Sequence, residues 1–432
     1  MKYLFFFFLF LSILSCDKRE TKITNPTDGE EIQDPFVIDT FLWSKNINEN
    51  VFLSNIALHP VFHNGNVIWN LPTDGGFIAL DTTNGNTVWD NRGITNSEFN
   101  SFAPTVFNDD LFYVKASTFH NMDLNTGNME SYVWPVQDEF MDRAISVTEE
   151  CVFVPISEYK TDKTFVEWMS SSIDDLTQNS WQRFGRIDEV DLDEMKPHLY
   201  QYGINYTNSK GEPLFITTTA LLAQNSDEET VYIIRAYNLQ TNEIVWQAND
   251  KRMDISKPVV EGDRMYTYNE THFICIELET GEYIWEKDRT SNGVNIVHGF
   301  YNLDLVSHEN LIVAVGHNNR IVALDKEDGR VRWSRTFDEQ IREERESVGS
   351  LNRRINIYDN KLYYLNFRGD IMVLDLKFGR TARFHLPDRS YIDEENFLFE
   401  KNFYSLIVDD QGVIFANDGH RFLAFRLRDP FL

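Results

Sequence analysis

The sequence predicts an all-β fold, an eight-bladed β-propeller of four-stranded antiparallel blades closed by an N-terminal strand. Three observations carry this prediction. An eleven-residue string recurs along the chain, a separate series of eight polar turns keeps the same beat, and an orphan strand near the N-terminus supplies what the last unit lacks.

The chain has 432 residues, 40 Lys+Arg against 68 Asp+Glu and a formal net charge of -28. That balance excludes nucleic acid as a partner, because phosphate binding needs a basic patch. It also disfavours direct adsorption to an anionic membrane. Hydrophobic residues make up 42% and aromatic residues 14%, too rich for a disordered chain. The aromatics are mostly Phe (33) and Tyr (18), which suit pleated, half-buried surfaces. Three cysteines cannot make a disulfide framework.

Residues 1–15 form the first element. Lys2 precedes an apolar run from Leu4 to Leu14. The run falls short of the roughly 20 residues a spanning helix needs and has the form of a secretory signal. Ile13-Leu14-Ser15-Cys16 resembles a bacterial lipobox, which implies cleavage before Cys16 and acylation of that residue, palmitate included. Several acyl chains anchor stably, whereas one binds only marginally. Removing residues 1–15 takes Lys2 with it and leaves 39 basic against 68 acidic side chains, a net charge of −29. Residues 16–35 follow as a lipidated Cys and a polar, Pro/Gly-containing tether. Residues 36–432 are read as one propeller domain.

Within that domain, Ala79 to Trp89 reads ALDTTNGNTVW, with Asp81, Gly85 and Trp89 at fixed offsets. The string returns as AYNLQTNEIVW ending at Trp246, CIELETGEYIW with Gly281 and Trp285, and ALDKEDGRVRW with Asp325, Gly329 and Trp333. Asn121–Ser131 and Val373–Arg383 keep its form and lose the Trp. The spacing is that of a β-hairpin. Asp accepts from turn N–H groups, Gly supplies positive φ, and the residues up to Trp form the return strand. A large ring at a fixed offset is expected at a fixed place, the packing surface between neighbouring sheets. Trp89, Trp246, Trp285 and Trp333 are therefore expected to be buried at equivalent inter-blade positions.

The second series consists of polar turns before apolar-aromatic strands. They lie at Gly65, Asp109, Glu150, Gly211, Gly262, Glu309, Asp359 and Gln411, between 41 and 61 residues apart. Eight turns at a mean step of about 49 residues mean eight units of about four strands each. The longest step contains the acidic stretch 188–194, expected within an insertion, and Trp181 is the candidate for the missing Trp of the third blade. The last unit reaches Ala424-Phe425-Arg426, and its Trp would fall near position 434, past Leu432. Phe41-Leu42-Trp43-Ser44-Lys45 matches Trp333-Ser334-Arg335. Residues 36–46 are thus expected to complete the eighth blade, with Trp43 in the slot, and to seal the ring so that no sheet edge stays open.

The Ala-x-Asp-x-x-Thr-Gly-x-x-x-Trp signature resembles the tryptophan-docking repeat of the pyrroloquinoline-quinone-like propellers over nearly all of residues 36–432. That superfamily includes eight-bladed quinoprotein dehydrogenases and the propeller lipoprotein of the outer-membrane β-barrel assembly machinery. A lipobox followed by a single propeller is similar to the second group. The resemblance implies a lipid-anchored, envelope-located protein that binds a protein partner, outer membrane rather than inner, with the propeller itself monomeric. The dehydrogenases are longer and carry a disulfide between adjacent cysteines beside the quinone. Here Cys151 and Cys275 are the cysteines left after Cys16, far apart in sequence.

Fold does not fix function, so chemistry must be sought in sites. The sequence has no zinc spacing, no nucleophile elbow and no phosphate-binding glycine loop. His298, His308 and His317, the acidic trio Asp188, Asp191 and Asp193, and Arg342 to Arg345 with Arg353-Arg354 read as solvated or structural groups rather than ligand sets. No catalytic residue, cofactor or metal is assigned. The leading reading is a scaffold, and the alternatives are a quinone- or calcium-dependent dehydrogenase and a glycan- or small-ligand-binding propeller.

Overall fold

A computed structural model describes residues 36–38, 40–46, 60–71, 76–91, 105–115, 118–133, 139–141, 145–159, 164–176, 180–188, 196–222, 231–250, 258–268, 272–288, 305–315, 320–336, 355–365, 370–377, 379–386, 405–418 and 421–431. Among them every regular element is a strand, and the strands form eight separate sheets. Blade 1 comprises Val61–His63, Asn66–Leu71, Gly76–Asp81 and Thr87–Asp90, joined in that order. Blades 2 to 7 repeat the order within 105–133, 139–188, 196–250, 259–288, 305–336 and 356–385, with the first strand of blade 3 in two pieces, Glu139–Met141 and Ser146–Val147. Blade 8 takes three strands from 405–425 and its fourth, Trp43–Asn46, from the N-terminus.

All eight turns read from the sequence join the first and second strands of their blades. Asn64-Gly65 (φ 46 and 76) and Asp359-Asn360 (φ 48 and 56) place both central residues in the left-handed region. This turn twists in the sense that tight hairpins prefer.

The first strands of blades 2 and 3, 3 and 4, 5 and 6, and 7 and 8 approach one another within 8 Å between Cα atoms. The first strands therefore circle the axis and the fourth strands form the outer rim. The second and third strands are almost entirely buried, as in NVIWNL and GFIALD of blade 1. Each blade is apolar on both faces, so each face must be covered by a neighbour.

The core divides accordingly into one apolar layer per blade junction. Val67, Trp69 and Ile78 of blade 1 meet Phe415, Phe422 and Ala424 of blade 8 in one such layer. Seven further clusters fill the junctions from 1/2 to 7/8. Eight blades with eight junction cores make a closed ring, whereas an open solenoid of eight units would have seven.

Two sequence expectations change in detail. Only Trp43–Asn46 completes blade 8, antiparallel to Arg421–Phe425. Phe36–Val37 instead adds a parallel fifth strand to the outer edge of blade 7, pairing Phe36 with Phe384 and Val37 with His385. Trp181 packs on blade 2, with its ring edge-on to Phe119 at 5.5 Å. Phe184 of blade 3 instead faces blade 4, meeting Phe215 beside Phe153 and Trp168 and also facing Tyr237. The long third step is partly absorbed by extended strands, nine residues each in Cys151–Tyr159 and Thr164–Ser172 and twelve in Lys196–Thr207. Residues 189–194 of the acidic stretch lie outside the described residues.

Candidate functional site

The recurrent site in the molecule is the junction dock, and its parts come from two blades. Trp89 of blade 1 donates its indole N–H to Leu124 O of blade 2 at 3.0 Å. Trp246 donates to Leu278 O at 2.9 Å, Trp285 to Lys326 O at 2.9 Å and Trp333 to Leu376 O at 3.0 Å. Trp43 donates to Thr82 O at 2.9 Å, joining blade 8 to blade 1. Each acceptor is the residue after the acidic position of the next blade's turn. Burying an indole without a partner for its N–H is costly, and the turn supplies one at the same point each time. Trp43, Trp89, Trp246 and Trp285 are 8–9% exposed, and Trp333 is half-buried.

Under four of these rings, Trp43, Trp89, Trp246 and Trp285, lies the turn glycine of the next blade. A Cβ on Gly85 would stand 2.7 Å from Trp43, one on Gly127 2.5 Å from Trp89 and one on Gly329 2.6 Å from Trp285. Gly281 is covered by Trp246 even more closely. Gly85, Gly127, Gly281 and Gly329 also have φ between 68 and 75, so any side chain would be strained as well as clashing. Asp81 closes the turn by accepting from Thr83 N at 2.8 Å and Asn84 N at 3.2 Å. The Thr83 hydroxyl and these amides hold its carboxyl below the usual 3.8. Asp325 is also held below 3.8. Burial opposes this, but the Glu327 amide and the Arg332 guanidinium outweigh it.

The small residue that opens the string now has a reason. Ala79, Ala236, Cys275, Ala323 and Ala424 stand directly opposite Trp89, Trp246, Trp285, Trp333 and Trp43 in their sheets. A larger residue would occupy the indole's space. Cys275 is therefore part of the dock. It is fully buried, and burial pushes its thiol up to about 12. Cys151 is partly buried in blade 3, and burial raises its thiol too. Neither thiol is poised as a nucleophile.

Other candidates are dispersed. His308 contacts Asn360 Oδ1 at 2.7 Å, bridging blades 6 and 7. His63 stands 3.2 Å from Asp109 and 3.1 Å from Asn125 Oδ1, bridging blades 1 and 2. Sequence reading did not single out His63, and its place just before a first-strand turn is the signal that it shares with His308. Cys16, His298, His317, Asp191, Asp193 and the Arg342–Arg354 cluster lie outside the described residues. Among the described residues no three His, Cys, Asp or Glu side chains converge as a metal site. Among the described residues the two free cysteines sit in blades 3 and 5. No two cysteines of the chain are adjacent in sequence, so the adjacent-cysteine disulfide that the dehydrogenase resemblance implies cannot form.

The face formed by the short turns is acidic. Exposed carboxylates stand on it at Asp109, Glu150, Glu243, Asp263, Asp359 and Asp410, from six different blades. The opposite face holds the longer connections between blades, and most of these lie outside the described residues.

The ring, its docks and their register define an eight-bladed β-propeller. Residues 227–429, just under half of the chain, match the family model described as "Outer membrane protein assembly factor BamB". No curated protein sequence matches the chain. Among solved structures, BamB from Moraxella catarrhalis aligns with a TM-score of 0.52 and 10% identity, over 90% of this chain and 98% of that one. A quinohemoprotein alcohol dehydrogenase from Pseudomonas putida aligns with a TM-score of 0.52 and 10% identity, over 90% of this chain and 77% of that one. The computationally designed protein Ika8 gives 0.55 and 11%, over 85% and 96%. At these identities the structural likeness concerns the fold.

Proposed function

We propose that this protein is a lipid-anchored propeller of the bacterial cell envelope that acts as a protein-binding scaffold in outer-membrane protein assembly. The observation that carries the reading is the match of residues 227–429 to the assembly-factor family model, beside the Ile13-Leu14-Ser15-Cys16 sequence. Processing at Cys16 leaves a tether of nineteen residues before Phe36. At ~3.3–3.6 Å per residue that tether reaches at most about 65 Å from the bilayer. The ring then works as a rigid platform. Its docks fix the blades, and its faces present turns and connections to a partner. The net charge of -28 keeps it off anionic lipid and favours a partner with a basic surface.

The test is affinity purification of the full-length protein from detergent-solubilised envelopes. The control is an unrelated lipoprotein carrying the same anchor. Enrichment of one or more outer-membrane assembly proteins over the control is expected. An envelope eluate indistinguishable from the control would contradict the scaffold reading.

A further inference from the structure

Docking tryptophans and turn glycines are distributed by junction and not by blade. Five junctions, 8/1, 1/2, 4/5, 5/6 and 6/7, have a Trp on one side and a positive-φ glycine on the other. Junctions 2/3, 3/4 and 7/8 lack this pair; at 3/4 Gly185 (φ 67) packs under Tyr237 of blade 4, and at 7/8 Gly412 (φ 76), in the first turn of blade 8, packs under Tyr358 of blade 7. Blade 2 carries Ser131 and blade 7 carries Arg383 in the slot, while Phe184 takes its place in blade 3. At 3/4 the opposing turn, Asn238–Asn242, keeps the hydrogen bonds of the docked turns but has Asn242 (φ 58) in place of the glycine, and at 2/3 the opposing turn at 173–176 carries no positive-φ glycine.

At 7/8 the cause is topological. The third strand of blade 8 comes from the C-terminal part of the chain and the fourth from the N-terminal part. No hairpin joins them, so no turn exists for a blade 7 tryptophan to dock on.

Both ends of the described chain cross this junction, in opposite directions. The N-terminal segment starts on blade 7. Phe36 stacks on Phe384 at 5.0 Å, Ile38 N–H donates to His385 O at 2.9 Å, and Ile38 is buried in the 7/8 core. The segment then passes to blade 8. There Leu42 N–H donates to Ala424 O at 2.7 Å, and Phe41 meets Phe425 edge-on at 5.8 Å. The C-terminal tail leaves blade 8 and returns to blade 7. Asp429 pairs with Lys361 at 3.0 Å, the Arg380 guanidinium lies 4.9 Å from the centre of the Phe431 ring, and Leu427 and Phe431 pack on the same core.

We propose that the two termini form a reciprocal latch that replaces the dock at the 7/8 junction. Releasing either strap opens the ring at that seam while the docked junctions 4/5, 5/6 and 6/7 stay closed. The latch does not depend on the lipid anchor. The N-terminal strap is continuous with the segment leading to Cys16, so the seam is also where the rest of the N-terminus joins the ring.

Hydrogen–deuterium exchange on the full-length protein tests this. One variant carries Phe36→Ser with Ile38→Ser, and another is truncated after Arg426. Each should raise amide exchange in 379–385 and 414–425 by about tenfold or more, while 264–288 and 320–336 keep wild-type rates. Unchanged exchange in both variants, or an equal rise in every blade, would overturn the latch. If the truncation fails to fold, Asp429→Asn with Phe431→Ala loosens the same strap and is read in the same way. The reciprocal control is Trp246→Ala, which should raise exchange at junction 4/5 and not at 7/8. An opening at 7/8 in that variant would also overturn the proposal.

Discussion

At the residue scale the decisive partners are far apart in the chain. Trp89 and Gly85 share one eleven-residue string, yet Trp89 covers Gly127, and Gly85 is covered by Trp43. This gives a discriminating prediction. Trp89→Ala should destabilise the fold by about 3–5 kcal/mol. Gly127→Ala should also destabilise, because its Cβ meets the Trp89 ring. The double variant should lose clearly less than the sum, because removing the indole makes room for that Cβ. Trp89→Ala combined with Gly85→Ala should be additive within about 0.5 kcal/mol. Urea unfolding of the variants measures both cycles. Equal coupling in the two pairs would mean that the dock is misassigned.

Much of this was legible in the sequence. The positions of Asp81, Gly85 and Trp89 and their echoes could be read, as could all eight first turns, because turn chemistry and a large ring at fixed offset leave a local mark. The identity of the covering partner was hidden, since it lies in the next blade. Trp181 misled for a related reason. A tryptophan near the right offset looks like a dock, but here the strand is seated by Phe184 and Trp181 turns back to Phe119.

At the element scale, the outer strands explain how the dock is aimed. Blades 1, 4, 5 and 6 each have a register shift between third and fourth strands next to the small residue, as between Ala79 and Leu80. Blades 2 and 7, which lack the Trp, pair through this region without a shift. One extra residue turns the following side chain to the other face of the strand. The bulge therefore carries the ring toward the next blade and leaves the preceding residue outside. Val88, Val245 and Ile284, each just before its Trp, are accordingly 40–48% exposed. Periodicity alone does not show a bulge, which is why the string reads as a plain hairpin.

Polar links also join elements across junctions. Glu261 on the first strand of blade 5 accepts from Lys326 Nζ at 2.5 Å and from the Ser307 hydroxyl, both of blade 6. These donors hold its carboxyl below the usual 4.5. A depressed carboxylate stabilises the fold above its unfolded pKa, and that contribution is lost as pH falls through the folded value. Asp81, Asp325 and Asp429 are depressed in the same sense. Thermal stability should therefore fall between about pH 5 and about pH 3, and Glu261→Gln should flatten part of that fall. A Glu261→Gln profile parallel to wild type would show that this link contributes nothing measurable.

At the scale of the whole molecule, eight small sheets that cannot stand alone bury each other's faces around a ring. Five junctions are pinned by docks and one is crossed by both termini. The ring count was legible because the turns repeat evenly. The path of residues 36–46 was less so, because a two-residue parallel strand such as Phe36–Val37 leaves no pattern to read. The three cysteines divide into Cys16 in the lipobox-like sequence, Cys275 inside a dock and Cys151 in a strand of blade 3. On the function proposed above, this acidic ring is held at the envelope by its N-terminus and not by its surface. Intact-mass and N-terminal peptide mass spectrometry of the protein extracted from its native membranes tests that most directly. The predicted result is a chain beginning at Cys16 that carries acyl groups, and a Cys16→Ser variant that is neither acylated nor membrane-bound. A mature chain that begins elsewhere, or begins at Cys16 without lipid, would contradict it.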